Sequence, residues 1–99
     1  MDPVTSFGWN PVNVTATGTI ARTGPCIMHS VVFNGVTTVG DVLIYDGVDA
    51  TGTLIATLNL RSAVSVSVQP ITFLYDCKMT TGIFVTFTAF AGNLTVMWG

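Results

Sequence analysis

The residues able to do acid–base, nucleophilic or metal chemistry are few. His29 is the only histidine, Cys26 and Cys77 are the only cysteines, five aspartates supply every carboxylate, and Glu is absent. Cys26 and His29 are three positions apart, an odd separation that puts them on opposite faces of a regular strand. A Cys–His dyad or a Cys-x-x-His metal pair would therefore need a bulge. Adding Asp76 and Cys77 writes a four-ligand set on paper, but structural zinc sites pair their ligands at tight spacing in each half, and only one weak pair exists here. The expected place for His29 is in the core or at its rim. Asp41, Asp46 and Asp49 gather around one strand and turn, where calcium could find oxygen ligands. They lack the alternate-position pattern of an EF-hand, and Asp at a turn start is expected anyway, because its side chain caps backbone N–H groups. No nucleophile elbow, Walker or dinucleotide pattern is present. The reading assigns no catalytic residue, no metal ligand and no cofactor, and it is of a chain that is not an enzyme.

Composition then limits what can hold these residues in place. Of the 99 residues, 49% are hydrophobic and 8% charged, against roughly 25% charged in an average soluble domain. Thr (16), Val (14) and Ile (6) together make 36 of the 99 residues β-branched. Helix formers are scarce, so an all-β fold is expected. High apolar content with a net charge of −2 excludes intrinsic disorder. Three cations (Arg22, Arg61 and Lys78) cannot build a phosphate-tracking patch, so nucleic acid is not an expected partner. A mean hydropathy of +0.67 invites a membrane reading. The longest apolar run, however, is the four residues Val42 to Tyr45, and a spanning helix needs about 20. A transmembrane barrel of about eight long strands would nearly fill or exceed the chain. Met1 to Thr5 has neither a basic n-region nor an apolar h-region. The expectation is synthesis in a cytoplasm, without a signal peptide and with no membrane partner. In that compartment two buried thiols are expected rather than a bridge.

Residues 1–10 carry Pro3, Phe7, Gly8 and Trp9 without a sustained period and read as an N-terminal arm; residues 11–99 read as one domain. From Val12 onward apolar and polar residues alternate in short runs. Strands are expected at Val12–Ala16, Thr19–Thr23, Cys26–Asn34, Val42–Tyr45, Thr53–Asn59, Ser62–Val68, Ile71–Tyr75, Ile83–Ala89 and Leu94–Trp98, the first two as one continued strand or as two, and about eight in all. Cys26–Asn34 is apolar on both faces and reads as a central strand buried on two sides. Leu54, Ala56 and Leu58 are placed on one face. Turns are expected at Gly24-Pro25, Asn34-Gly35, Asp46-Gly47, Thr81-Gly82 and Gly92-Asn93. Strands spaced roughly ten residues apart, with no crossover helix, predict an antiparallel β-sandwich, jelly-roll-like.

A domain this small leaves about a third of its unfolded-chain surface exposed. One Lys and no Glu cannot guard that surface against other chains. Self-association is therefore expected, as a ring around a symmetry axis. Phe7, Trp9 and Trp98 lie near the termini and are the candidate partner contacts.

Five segments carry a resemblance: Ala21-Arg22-Thr23-Gly24-Pro25, Ile44-Tyr45-Asp46-Gly47, Thr51-Gly52-Thr53, Thr81-Gly82-Ile83 and Leu94-Thr95-Val96. From Gly18 to Trp98 the chain resembles short β-sandwich virion proteins of tailed bacteriophages. These are turn motifs; they place strands and transfer no functional residue, and Cys26 and Cys77 have no counterpart role. The resemblance implies a capsid decoration (cement) protein, often a homotrimer, on the capsid exterior and bound to the major capsid protein. The competing expectation is a receptor- or glycan-binding module of a phage tail or head fibre.

Overall fold

The computed structural model describes residues 9–60 and 71–99. Among them lie eight strands and no helix: β1 (Asn10–Val14), β2 (Thr19–Thr23), β3 (Cys26–Thr38), β4 (Gly40–Asp46), β5 (Thr53–Leu60), β6 (Ile71–Met79), β7 (Gly82–Thr88) and β8 (Ala91–Trp98). They form two four-stranded sheets, with orders β1-β8-β3-β6 and β2-β7-β4-β5. Every paired strand is antiparallel. β1 pairs with β8, β2 with β7, β3 with β6 and β4 with β5, which is one long hairpin. Folding that hairpin over adds the β3–β8 and β4–β7 pairs. The result is the jelly-roll order of an antiparallel sandwich, as the alternation and turn spacing predict.

The core lies between the sheets. Val14, Met28, Val31, Phe33, Met79, Leu94 and Val96 face inward from the first sheet; Ala21, Val42, Ile44, Leu58, Ile83 and Val85 face them from the second. Phe90, between β7 and β8, joins the two layers. Its ring meets Phe33 edge-on at 5.9 Å and Phe87 at 4.8 Å, a favoured aromatic geometry.

Several expectations from the pattern need correction. Asn34-Gly35 and Gly92-Asn93 are not turns. They lie inside β3 and β8 and pair with each other, Gly35 opposite Asn93 and Val36 opposite Gly92. Asn93 Oδ1 accepts from Asn13 Nδ2 at 2.6 Å and from Asn34 Nδ2 at 3.1 Å, so the three asparagines form a row across β1, β8 and β3. Turn-type dipeptides here serve as a cross-strand ladder. β3 is a central strand, as expected, but its outer face is not buried, since Ile27 remains 44% exposed. Leu54 does not share a face with Ala56 and Leu58. Ile44 pairs with Ala56 and Tyr45 with Leu54, so Ile55 is an extra residue that turns Leu54 outward. β1 begins at Asn10, inside the expected arm. The Ser62–Val68 strand and most of the arm fall outside the described residues.

Gly92 is held by close approach. A Cβ there would sit 2.5 Å from the Gly35 carbonyl oxygen and 2.8 Å from the Phe90 ring. Gly92→Ala is expected to cost about 1–3 kcal/mol, read as a lower urea midpoint with an unchanged slope.

Candidate functional site

Two extra residues organise the outer face of the first sheet. Relative to β8, β3 carries one extra residue at His29, because Met28 pairs with Trp98 and Ser30 with Met97. Relative to β3, β6 carries one extra residue in the Tyr75–Asp76 stretch, because Met28 pairs with Cys77 and Ser30 with Leu74. Asp76 takes the left-handed region at φ 47°, which Asp tolerates better than most residues. The double bulge brings the two side chains together. His29 Nδ1–H donates to Asp76 Oδ1. The indole of Trp9 stacks flat on the imidazole, with centroids 4.2 Å apart and planes 1° from parallel. Trp9 also packs on Gly99, where an added Cβ would lie 2.6 Å from the ring.

This trio does not extend to the cysteines. Cys26 and Cys77 are free thiols packed against the core, on the inner face of the same strands. Burial pushes both thiols above their ordinary range; for Cys26 the Arg22 guanidinium partly opposes that. The set Cys26, His29, Asp76 and Cys77 is thus split between two faces, as the odd spacing of Cys26 and His29 requires. The His29–Asp76 pair clasps β3 to β6 on the outer face of the sheet.

The three loop aspartates go to three different places. Asp41 accepts from Asn59 Nδ2 at 2.8 Å, at the start of β4. Asp49 accepts from the Thr51 backbone N–H at 2.9 Å within its own turn. Asp46, at the end of β4, clamps the β6–β7 turn. Its carboxylate accepts from the Thr80 N–H (2.9 Å), the Thr80 hydroxyl (2.9 Å), the Thr81 N–H (2.8 Å) and the Gly82 N–H (3.3 Å). These donors, the Thr80 N–H first among them, hold the carboxyl at about 2, below its ordinary 3.8. The turn-capping role expected of Asp is the one Asp46 and Asp49 take.

Of the aromatic contact candidates, Trp9 is 37% exposed. Trp98 is half-buried against the core, with the Arg22 guanidinium 4.4 Å above its ring, a cation–π arrangement. Phe7 lies outside the described residues.

The pattern did not single out the outer face of the second sheet, and among the described residues that face holds an extended apolar row. Ile20 pairs with Phe84, Phe84 with Tyr45, and Tyr45 with Leu54. One apolar row therefore crosses all four strands β2, β7, β4 and β5. Its two ends, Ile20 and Leu54, are each 49% exposed, and the Tyr45 and Phe84 rings lie 6.2 Å apart in its middle. Leu43 and Thr86 form the adjoining pair. In sequence the sign was Phe84 and Tyr45 standing in the polar phase of strands whose other phase is core.

Protein-family models, curated proteins and solved structures were compared with this chain, and none matches.

Asp46 yields a pH-dependent expectation. A carboxyl lowered by folding stabilises fully above its ordinary value, and the contribution is lost as pH falls through the folded value. Asp46→Ala should cost about 1–3 kcal/mol at neutral pH in urea unfolding. The gap between the two proteins should close as pH falls from 3.8 toward about 2.

Proposed function

We propose that the chain is a non-enzymatic structural protein of a tailed-phage particle, self-associating and decorating the outer surface of the shell built by the major capsid protein. The apolar row Ile20–Phe84–Tyr45–Leu54 carries this reading. Half-exposed aliphatic residues at both ends of a cross-sheet stripe mark a surface that gains by being covered. A row of four side chains along an outer sheet face is suited to shape contact with another subunit. The jelly-roll order agrees with such a role by analogy only, because that architecture also serves lectins and enzymes.

Attachment would work by mass action. Each subunit contributes modest apolar contact, and many subunits acting together on a repeating shell multiply the avidity without any single strong bond. Three subunits around an axis is the arrangement the resemblance favours. Bridging adjacent shell subunits would then oppose outward pressure from a packed genome.

The glycan-binding alternative draws on one observation. Trp9 stands at the surface stacked on His29, which is itself bonded to Asp76, and exposed aromatic rings suit sugars. A glycan array decides between the readings. Sugar binding lost in Trp9→Ala would replace the structural reading, and no binding leaves it in place.

Sedimentation equilibrium of the full chain should show a species several times heavier than 10.4 kDa. Phe84→Lys or Leu54→Lys should shift it to monomer with the β-sheet circular dichroism unchanged. A wild-type monomer at micromolar concentration would overturn self-association. Particles lacking the protein should release DNA at a lower temperature; equal thermal release would remove the cementing role.

A further inference from the structure

The register of β3 on β6 places four sulfur side chains side by side. Cys26 pairs directly with Met79, and Met28 with Cys77. The ladder is regular over this stretch; its shift comes only after Met28. All four residues belong to the inner face, Met28 and Met79 wholly buried, Cys26 and Cys77 half-buried beside them. Directly opposed residues in an antiparallel pair have Cβ atoms about 5 Å apart, and neighbours along one face of a strand lie about 7 Å apart. Two thiols and two thioethers therefore occupy a patch small enough for one ion to reach all of them. The one sulfur–sulfur contact in the patch, Cys77 Sγ to Met79 Sδ, measures 3.8 Å. A tetrahedron of sulfurs with metal–sulfur bonds of about 2.3 Å has edges of about 3.8 Å.

We propose that Cys26, Met28, Cys77 and Met79 form a soft-metal site that binds one cuprous ion. The donor set selects the metal. Thiolate with thioether favours Cu(I), whereas zinc takes thiolate, imidazole and carboxylate. The imidazole and carboxylate nearest in sequence, His29 and Asp76, are bonded to each other on the opposite face. The Asp46 carboxylate is engaged by the Thr80–Gly82 turn. The register alternates the donors, with a half-buried cysteine opposite a buried methionine on each rung.

The charge balance also has a local partner. Binding breaks two S–H bonds, releases two protons to solvent and forms two copper–thiolate bonds and two thioether donor bonds. Copper stays monovalent, so no oxidant or reductant is needed. The bound site carries one net negative charge. Arg22 lies close enough to act on Cys26, and its Nε is buried with no hydrogen-bond partner. A cation in that position offsets the charge that the ion and two thiolates create. Because two protons leave, affinity rises with pH. This inference is independent of the proposed particle role.

The test is an anaerobic titration of the full chain with Cu(I) held by the coloured chelator bicinchoninate. The expected result is transfer of one equivalent per chain with loss of the chelate colour. Met28→Leu with Met79→Leu nearly conserves volume and should weaken binding about tenfold or more, with an unchanged melting curve. Cys26→Ser with Cys77→Ser should abolish it. A second measurement needs no variant. With methyl-labelled methionine in the wild-type chain and Ag(I) as a redox-inert probe, the Met28 and Met79 methyl signals should move and that of Met97 should not. No transfer from the chelator, one ion shared by two chains, unmoved Met28 and Met79 signals, or wild-type affinity in the leucine variant would each overturn the site.

Discussion

A strand shows each residue to one face only, and this chain depends on where that rule is broken. The extra residue at His29 changes the phase of β3 midway along its length, while the extra residue in the Tyr75–Asp76 stretch leaves Phe73, Tyr75, Cys77 and Met79 of β6 on one face. Before the shift, Cys26 and Met28 face inward; after it, Val31 and Phe33 do. Without the bulge one half of β3 would turn its apolar residues to solvent. With it, the sulfur side chains stay inside while His29 and Asp76 meet outside under Trp9. The same double bulge thus serves the core and sorts the reactive groups into two separate environments.

Charge scarcity has a structural counterpart. The carboxylates act chiefly on the protein itself: Asp46 clamps the β6–β7 turn, Asp49 closes its own turn, Asp41 meets Asn59, and Asp76 holds His29. Arg22 covers Trp98. On the outer face of the second sheet, Ile20, Phe84, Tyr45 and Leu54 form an apolar row beside the Asp41–Asn59 pair and Leu43, Thr57 and Thr86. A surface organised this way has little ionic repulsion to keep copies apart, and its apolar row rewards coverage. The asparagine row on the first sheet differs in kind. Asn13, Asn34 and Asn93 spend their amides on each other across three strands, which pins register in a region the glycines would otherwise loosen.

Much of the fold was legible because alternation reports burial directly. Val12 and Val14, Val42 and Ile44, Ile83, Val85 and Phe87, and Leu94 and Val96 all mark inward faces by period two. The errors came where one dipeptide serves two purposes. Asn-Gly and Gly-Asn favour turns when nothing opposes them, yet here each finds the other across a ladder and stays extended. The reading of Leu54 failed for a related reason: a bulge costs one residue and leaves no compositional mark, so Ile55 looks like any other strand residue. Among the candidate sites, the odd spacing of Cys26 and His29 correctly put them on opposite faces. Asp76 could be grouped with His29 only on paper, and the pairing of Cys26 with Met79 left no sign at all, because both partners lie some fifty residues away.

The sequence by itself determined the class of structure. β-branched content, period-two runs and frequent turns leave an antiparallel sandwich as the way to bury so many apolar groups, since alternation is a local property that each strand carries alone. Only the tertiary structure decided which strands meet. The folded-over hairpin sets β3 against both β6 and β8, which brings together the four sulfurs and the His29–Asp76 couple, and it sets β7 against β2 and β4, and β4 against β5, which lines up the four-strand apolar row. Register is a relation between distant segments, fixed by the packing of the whole core, and no local pattern encodes it.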